Sequence, residues 1–160
     1  MEKQDFQIIS RLRSNARKNL SRISRETGIP VSTIFERLKR YEKELIRKHT
    51  ALLDFSKLGY DIRVSIILKV PKENRDALKC FLMKQEGINS LYRINNGYDY
   101  LVDAVFRNMQ EVIDFMETLD EFKARKECYY LLEEIKREDF MSDPVLTGEF
   151  VQRPESAGTN

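Results

Sequence analysis

Leu20–Ile46, LSRISRETGIPVSTIFERLKRYEKELI, is the stretch on which the reading of this chain turns. Leu20, Ile23 and Thr27 recur at i, i+3 and i+7. Ile34, Leu38 and Tyr41, at i, i+4 and i+7, keep the helical period beyond Gly28. The pattern predicts two short amphipathic helices, with Ile29 as a plug under the turn between them. Asn19 suits the cap of the first helix, because its side-chain oxygen can accept a backbone N–H that a helix start leaves unpaired. Gly28 can take the left-handed conformation that ends that helix, and Pro30 prevents early re-entry. A helix pair joined by a tight glycine turn is how a small domain presents one helix to the DNA major groove. The outward side of the second helix carries Ser32, Thr33, Glu36, Arg37, Lys39 and Arg40, and these are the candidate DNA contacts. The bland alternative is a solvated helical face on a small bundle; the agreement of turn, plug and charge placement favours DNA reading.

Charge distribution supports this more than the formal balance of +2 does. Residues 1–55 hold 13 basic and 7 acidic residues, and the remainder holds 15 basic and 19 acidic. A basic first third beside an acidic body is the asymmetry expected of a nucleic-acid-binding head on a body that is not one. Lysines and arginines that displace counterions from phosphate bring affinity without sequence information. Base edges are then read from the helix beginning near Val31.

Before the pair, Asp5–Arg13 reads as one more helix, with Phe6, Ile8, Ile9 and Leu12 on its apolar stripe, and Asn15-Ala16-Arg17 makes the turn. After the pair, residues 46–53 contain β-branched residues and no helical period, so an extended segment is expected there. A hairpin in it would be a wing, making the head a winged helix-turn-helix, with Arg47 and Lys48 near the phosphates.

The organisation changes at Tyr60. Tyr60, Ile62, Val64, Ile66, Leu68 and Val70 alternate with Asp61, Arg63, Ser65, Ile67 and Lys69, a period of two that predicts a strand ended by Pro71. A helix is expected over Asn74–Gln85, a strand over Ile88–Ile94, and a tight turn at Asn96-Gly97. A strand over Tyr98–Phe106, a helix over Met109–Leu119 and a strand over Glu127–Ile135 complete the order strand-helix-strand-strand-helix-strand. That is the split βαβ arrangement of a ferredoxin-like sandwich. Both helices cover one sheet face. The other face, with Ile67, Leu101 and Val105, is expected to stay apolar and to serve homodimerisation. The fold class is therefore α+β: an N-terminal winged helix-turn-helix over residues 1–53, a linker over 54–59, a ferredoxin-like βαββαβ sandwich over 60–139, and a polar tail over 140–160.

Other classes find little support. No apolar run approaches the roughly 20 residues of a membrane span, and the Met-Glu-Lys-Gln start does not read as a signal peptide. Cys80 and Cys128 are isolated, which argues against a zinc site and for a reducing cytosol. His49 is the single histidine, and no phosphate-cradling glycine loop is present. The expectation is a cytoplasmic protein without cofactor or metal and without enzymatic activity.

The residues also resemble a family, the leucine-responsive/asparagine regulators (Lrp/AsnC) of bacteria and archaea, over roughly residues 4–138. The anchors are Asp5, Ile8-Ile9, Leu12 and Asn15-Ala16-Arg17. Gly28-Ile29, Ser32-Thr33-Ile34, Arg37-Leu38, Tyr41-Glu42 and Leu45-Ile46 continue the pattern. Leu58-Gly59, Asn96-Gly97-Tyr98-Asp99-Tyr100, Leu132 and Ile135-Lys136 close it. The resemblance implies a transcriptional regulator with a winged head on double-stranded DNA. It also implies a C-terminal domain for ligand sensing and assembly, and homodimers that build tetramers or octamers on palindromic sites. It places a small-molecule effector, an amino acid in some members, beside the turn occupied here by Asn96, Gly97, Tyr98 and Asp99. There Gly97 could let an amide approach a carboxylate, and Asp99 could pair an α-ammonium. The competing reading is a plain hairpin turn with a solvated Asp99. Two departures stand out. Pro30 replaces a serine common in the family, leaving Ser32 and Thr33 as either caps or phosphate contacts. Lys126 and Cys128 stand where family hydroxyls open the fourth strand. Two alternatives in function remain: a stand-alone ligand-binding and interaction module of the same fold, and an enzyme related in architecture to decarboxylases of modified tetrapyrroles. The latter would want histidines converging on a pocket, and this chain has His49 alone, in the head.

Overall fold

A computed structural model describes residues 1–143 of the chain. It divides into two compact units: Met1–Ala51 together with residues 135–143, and Leu52–Glu134. The polar tail expected over 140–160 lies, from residue 144, outside the described residues.

The first unit is built on three helices, α1 (Lys3–Ser14), α2 (Leu20–Thr27) and α3 (Val31–Glu44). Their apolar stripes meet in a small core of Ile8, Ile23, Ile29, Ile34 and Tyr41, flanked by Ile9, Leu12, Leu20 and Ile46. The local signals act as anticipated. The Asn19 side chain accepts the Arg22 N–H at 2.8 Å, and Gly28 ends α2 in the left-handed region at φ +73°. Ile29 is buried under the turn. Residues 46–54 carry no strand: the segment expected to be extended does not pair into a hairpin, and Arg47 and Lys48 stand on an exposed connection. The segment offers no tight-turn dipeptide to reverse it, and a two-stranded hairpin without a covering layer is marginal in water. Beyond residue 135 the chain returns to the head. The Arg13 guanidinium donates to the Phe140 carbonyl at 3.0 Å, to the Glu138 carbonyl at 2.6 Å and to the Glu138 carboxylate at 3.1 Å.

One buried charge orients the three helices. Asp5, 2% exposed, sits in the first turn of α1. Its carboxylate accepts the Tyr41 hydroxyl and the Arg37 guanidinium from α3, an Arg40 N–H at 3.2 Å and the Glu2 backbone N–H at 2.7 Å. Burial alone pushes this acid up. The bonds from Tyr41, the Glu2 amide and Arg37 outweigh burial and bring it from 3.8 down to about 2. Burial first, and then Asp5, pushes the Tyr41 phenol up to about 12.

The second unit is a four-stranded antiparallel sheet of β1 (Ile62–Lys69), β2 (Ile88–Arg93), β3 (Tyr100–Phe106) and β4 (Arg125–Tyr130), in spatial order β2-β3-β1-β4. Helices α4 (Arg75–Leu82) and α5 (Met109–Thr118) belong to the same layer pair. Leu78, Leu82, Val112, Phe115 and Leu119 pack on Val64, Ile66, Leu68, Tyr100, Val102, Ala104 and Phe106. This is the ferredoxin-like order. β4 stops at Tyr130 rather than Ile135; just beyond it the Leu131 N–H reaches the Arg63 carbonyl at 2.9 Å, one residue from the start of β1. The open sheet face is less apolar than expected. One row across the strands reads Tyr92, Leu101, Ile67 and Glu127, and the next reads Ser90, Asp103, Ser65 and Tyr129. Val105 is buried, while Ile67 and Leu101 are half-buried.

The depressed acidity of Asp5 makes its contribution pH-dependent with a definite sign. A carboxyl whose folded value lies below its unfolded value stabilises fully above about 3.9 and loses that contribution as pH falls toward about 2. Asp5→Asn should lower the stability of the full chain by about 2 kcal/mol at pH 7. Thermal unfolding of both proteins between pH 7 and pH 2 checks this: the gap should hold above pH 4 and close below it.

Candidate nucleic-acid interface

Helix α3 presents its exposed arc through Ser32, Phe35, Glu36, Lys39 and Arg40, while Ile34 and Tyr41 face inward and Leu38 is half-buried. Pro30 is the N-cap residue and makes no side-chain cap bond. Ser32 therefore stands exposed in a first turn whose backbone N–H groups have no intrahelical partner, a setting that favours anionic oxygens. Thr33 is half-buried beside it. The Lys39 ammonium lies 4.4 Å from the centre of the Phe35 ring. Arg40 keeps half its side chain in solvent while one N–H reaches Asp5.

Arg37 is the correction on this face. Read as outward, it is turned toward α1 and only 18% exposed. It bonds Asp5, the Glu2 carboxylate at 2.7 Å and the Gln4 amide oxygen at 3.0 Å. Glu2 first and Asp5 second hold its charge still more firmly than usual. Periodicity could not reveal this, because the partners lie more than 30 residues away in sequence. The available signal was Asp5 itself, an acid standing in line with the apolar stripe of α1. Elsewhere on the head, Glu26 gathers Lys18 at 2.9 Å, Arg22 at 3.0 Å and Arg11 at 2.9 Å. These cations thus have an internal partner, and Lys18 above all pulls the Glu26 acid below its ordinary value.

In the sheet unit, Asn96 (φ +59°) and Gly97 (φ +90°) form the exposed turn between β2 and β3. Asp99 fits neither reading made of it. It is 6% exposed, so it is not a solvated turn residue. Its carboxylate is already engaged within the chain: it accepts the Val70 N–H at 2.9 Å, binds Arg75 at 2.9 Å and lies 4.0 Å from the Lys69 ammonium. Tyr98 donates instead to Glu127, which also accepts the Tyr129 hydroxyl at 2.9 Å and an Arg125 N–H at 3.3 Å. This cluster on the open face, between the turn and β4, was not anticipated, because strand register alone decides that β4 residues stand near the turn. Lys126 is held by the Met116 carbonyl and Asp120. Among the described residues no group of three or more His, Cys, Asp or Glu side chains could hold a metal ion. No described helix is long and apolar enough to cross a membrane. Cys80 is exposed, and burial pushes the Cys128 thiol up.

Known proteins share the architecture of both units. A family model described as winged helix-turn-helix DNA-binding matches residues 1–44. The HTH-type transcriptional regulator FL11 of Pyrococcus abyssi is 33% identical over 116 residues, which is 72% of this chain and 77% of that one. Among solved structures, the transcriptional regulator NMB0573 of Neisseria meningitidis, in complex with L-Met, superposes with a TM-score of 0.79 at 24% identity. That match covers 86% of this chain and 93% of the other. LrpC of Bacillus subtilis also gives a TM-score of 0.79, at 20% identity, covering 85% and 97%. The two structures share the fold, and FL11 shares enough sequence to carry the relationship. The chain is a DNA-binding member of the Lrp/AsnC family of transcriptional regulators.

Proposed function

We propose that this regulator reads palindromic operators in double-stranded DNA as a homodimer or a larger closed assembly. Ser32, Thr33, Glu36, Lys39 and Arg40 meet the major groove, and Arg47 and Lys48 meet the phosphates. The carrying observation is the exposed arc of α3, held by Asp5 of α1, which is buried against Arg37 and Tyr41 of that helix. In this reading Arg37 positions α3 and does not touch DNA. Two-fold symmetry in the protein matches two-fold symmetry in the site. The half-buried Ile67 and Leu101, with exposed Tyr92, form the apolar row through which two copies meet, and the neighbouring polar row supplies hydrogen bonds. Support for a small effector at Asn96, Gly97 and Tyr98 comes from the L-Met complex of the Neisseria structure and from the exposed turn. The role requires no catalytic group and belongs to the cytoplasm. The stand-alone interaction module remains the second reading, favoured by the ordered Tyr98, Glu127 and Tyr129 cluster.

Duplexes selected from a random pool by the full-length protein, then titrated against salt, test the DNA reading. Arg40→Ala should weaken the selected site by about 1–3 kcal/mol, as expected for a lost base contact. Lys48→Ala should weaken all duplexes alike and reduce the salt slope by about one. Failure of the wild-type protein to bind any duplex would turn the reading to the interaction module. Leu101→Asp should convert the assembly to folded monomer in sedimentation; an unchanged assembly would place the interface elsewhere. Titration with L-methionine and the other amino acids reads the effector: binding raises the unfolding midpoint with concentration. A flat response across the set removes that part of the proposal.

A further inference from the structure

The outward arc of α3 contains a large apolar side chain that the head does not use. Phe35 is 44% exposed, and Val31, one turn earlier, is 43% exposed. Neither is among the buried residues of the head core. Scattered apolar residues on a surface need no explanation. These two, however, stand at i and i+4 in the N-terminal half of the helix whose exposed neighbours are Ser32, Glu36 and Lys39. That half is the part of a recognition helix that contacts base edges. The floor of the major groove offers one apolar group, the C5-methyl of thymine, and Phe is among the side chains that contact it. Lys39 over the ring places a cation beside the same spot, so charge complementarity to the phosphates and the apolar contact come from adjacent turns.

We propose that Phe35, backed by Val31, is a specificity-determining residue that packs on the C5-methyl of a thymine in each operator half-site. The inference rests on the reading of α3 as the base-reading helix and adds the base it selects. Phe35 lies outside the buried core of the head, so Phe35→Ala should leave the fold intact, and Phe35→Leu preserves an apolar contact of smaller reach.

The test uses full-length protein and a duplex it has selected. Each thymine is replaced in turn by deoxyuridine, which removes the methyl group and leaves base pairing unchanged. Wild-type protein should lose about fourfold in affinity at one position per half-site, the effect of burying one methyl group. Phe35→Ala should bind the thymine and deoxyuridine duplexes equally at that position, and Phe35→Leu should show an intermediate difference. All three proteins should bind a scrambled duplex alike, which reports an intact head and unchanged phosphate contacts. The same thymine-to-deoxyuridine profile in wild type and Phe35→Ala would overturn the inference and assign this face to a protein partner, while leaving the DNA reading in place. Absence of any selected sequence with wild-type protein would overturn both.

Discussion

A carboxylate buried in the first turn of a helix must be met by donors, because an unpaired charge away from water is strongly disfavoured. Asp5 is that group, and its side-chain donors Tyr41, Arg37 and Arg40 all come from α3. The geometry leaves α3 little rotational freedom: turned about its axis, it would strand the charge and withdraw Tyr41 from the core it shares with Ile8 and Ile34. The residues left facing water are then Ser32, Phe35, Glu36, Lys39 and Arg40. A buried ion pair is weak evidence for stability, since desolvation offsets much of its attraction. Its consequence here is orientation, which is what a base-reading helix requires.

The sheet unit uses the same device. Asp99 stands at the start of β3, buried, with the Val70 amide and the Arg75 guanidinium on it. It joins the end of β1 to the start of α4 and to the turn that follows β2. Two aspartates that look like surface polar groups in the chain thus act as internal anchors, one in each unit. The exposed chemistry lies beside them: the arc of α3 in the head, and the turn with Tyr98, Glu127 and Tyr129 in the sheet.

What could be read along the chain was local. The helix pair around Gly28, the Asn19 cap, the plug at Ile29 and the two-residue alternation of β1 are all properties of neighbours within a few positions. The order of strands and helices followed from them, and with it the sandwich. The misreadings were of another kind. Arg37 was assigned to solvent because its spacing is that of the outward charges, yet α1 carries the acid that turns it in. Side-chain type over 46–53 suggested an extended segment, and whether it would pair as a hairpin depended on a turn to close it and a layer to cover it.

Periodicity, caps and turn residues are short-range, and they suffice to specify two units, their elements and a basic head beside an acidic body. Which polar side chains face inward is a long-range matter. Asp5 meets Arg37 and Tyr41, Asp99 meets Arg75, and Glu127 meets Tyr98 only after the helices pack and the strands take their register. Those pairings depend on distances that no local spacing encodes, and they decide which charges remain available to DNA.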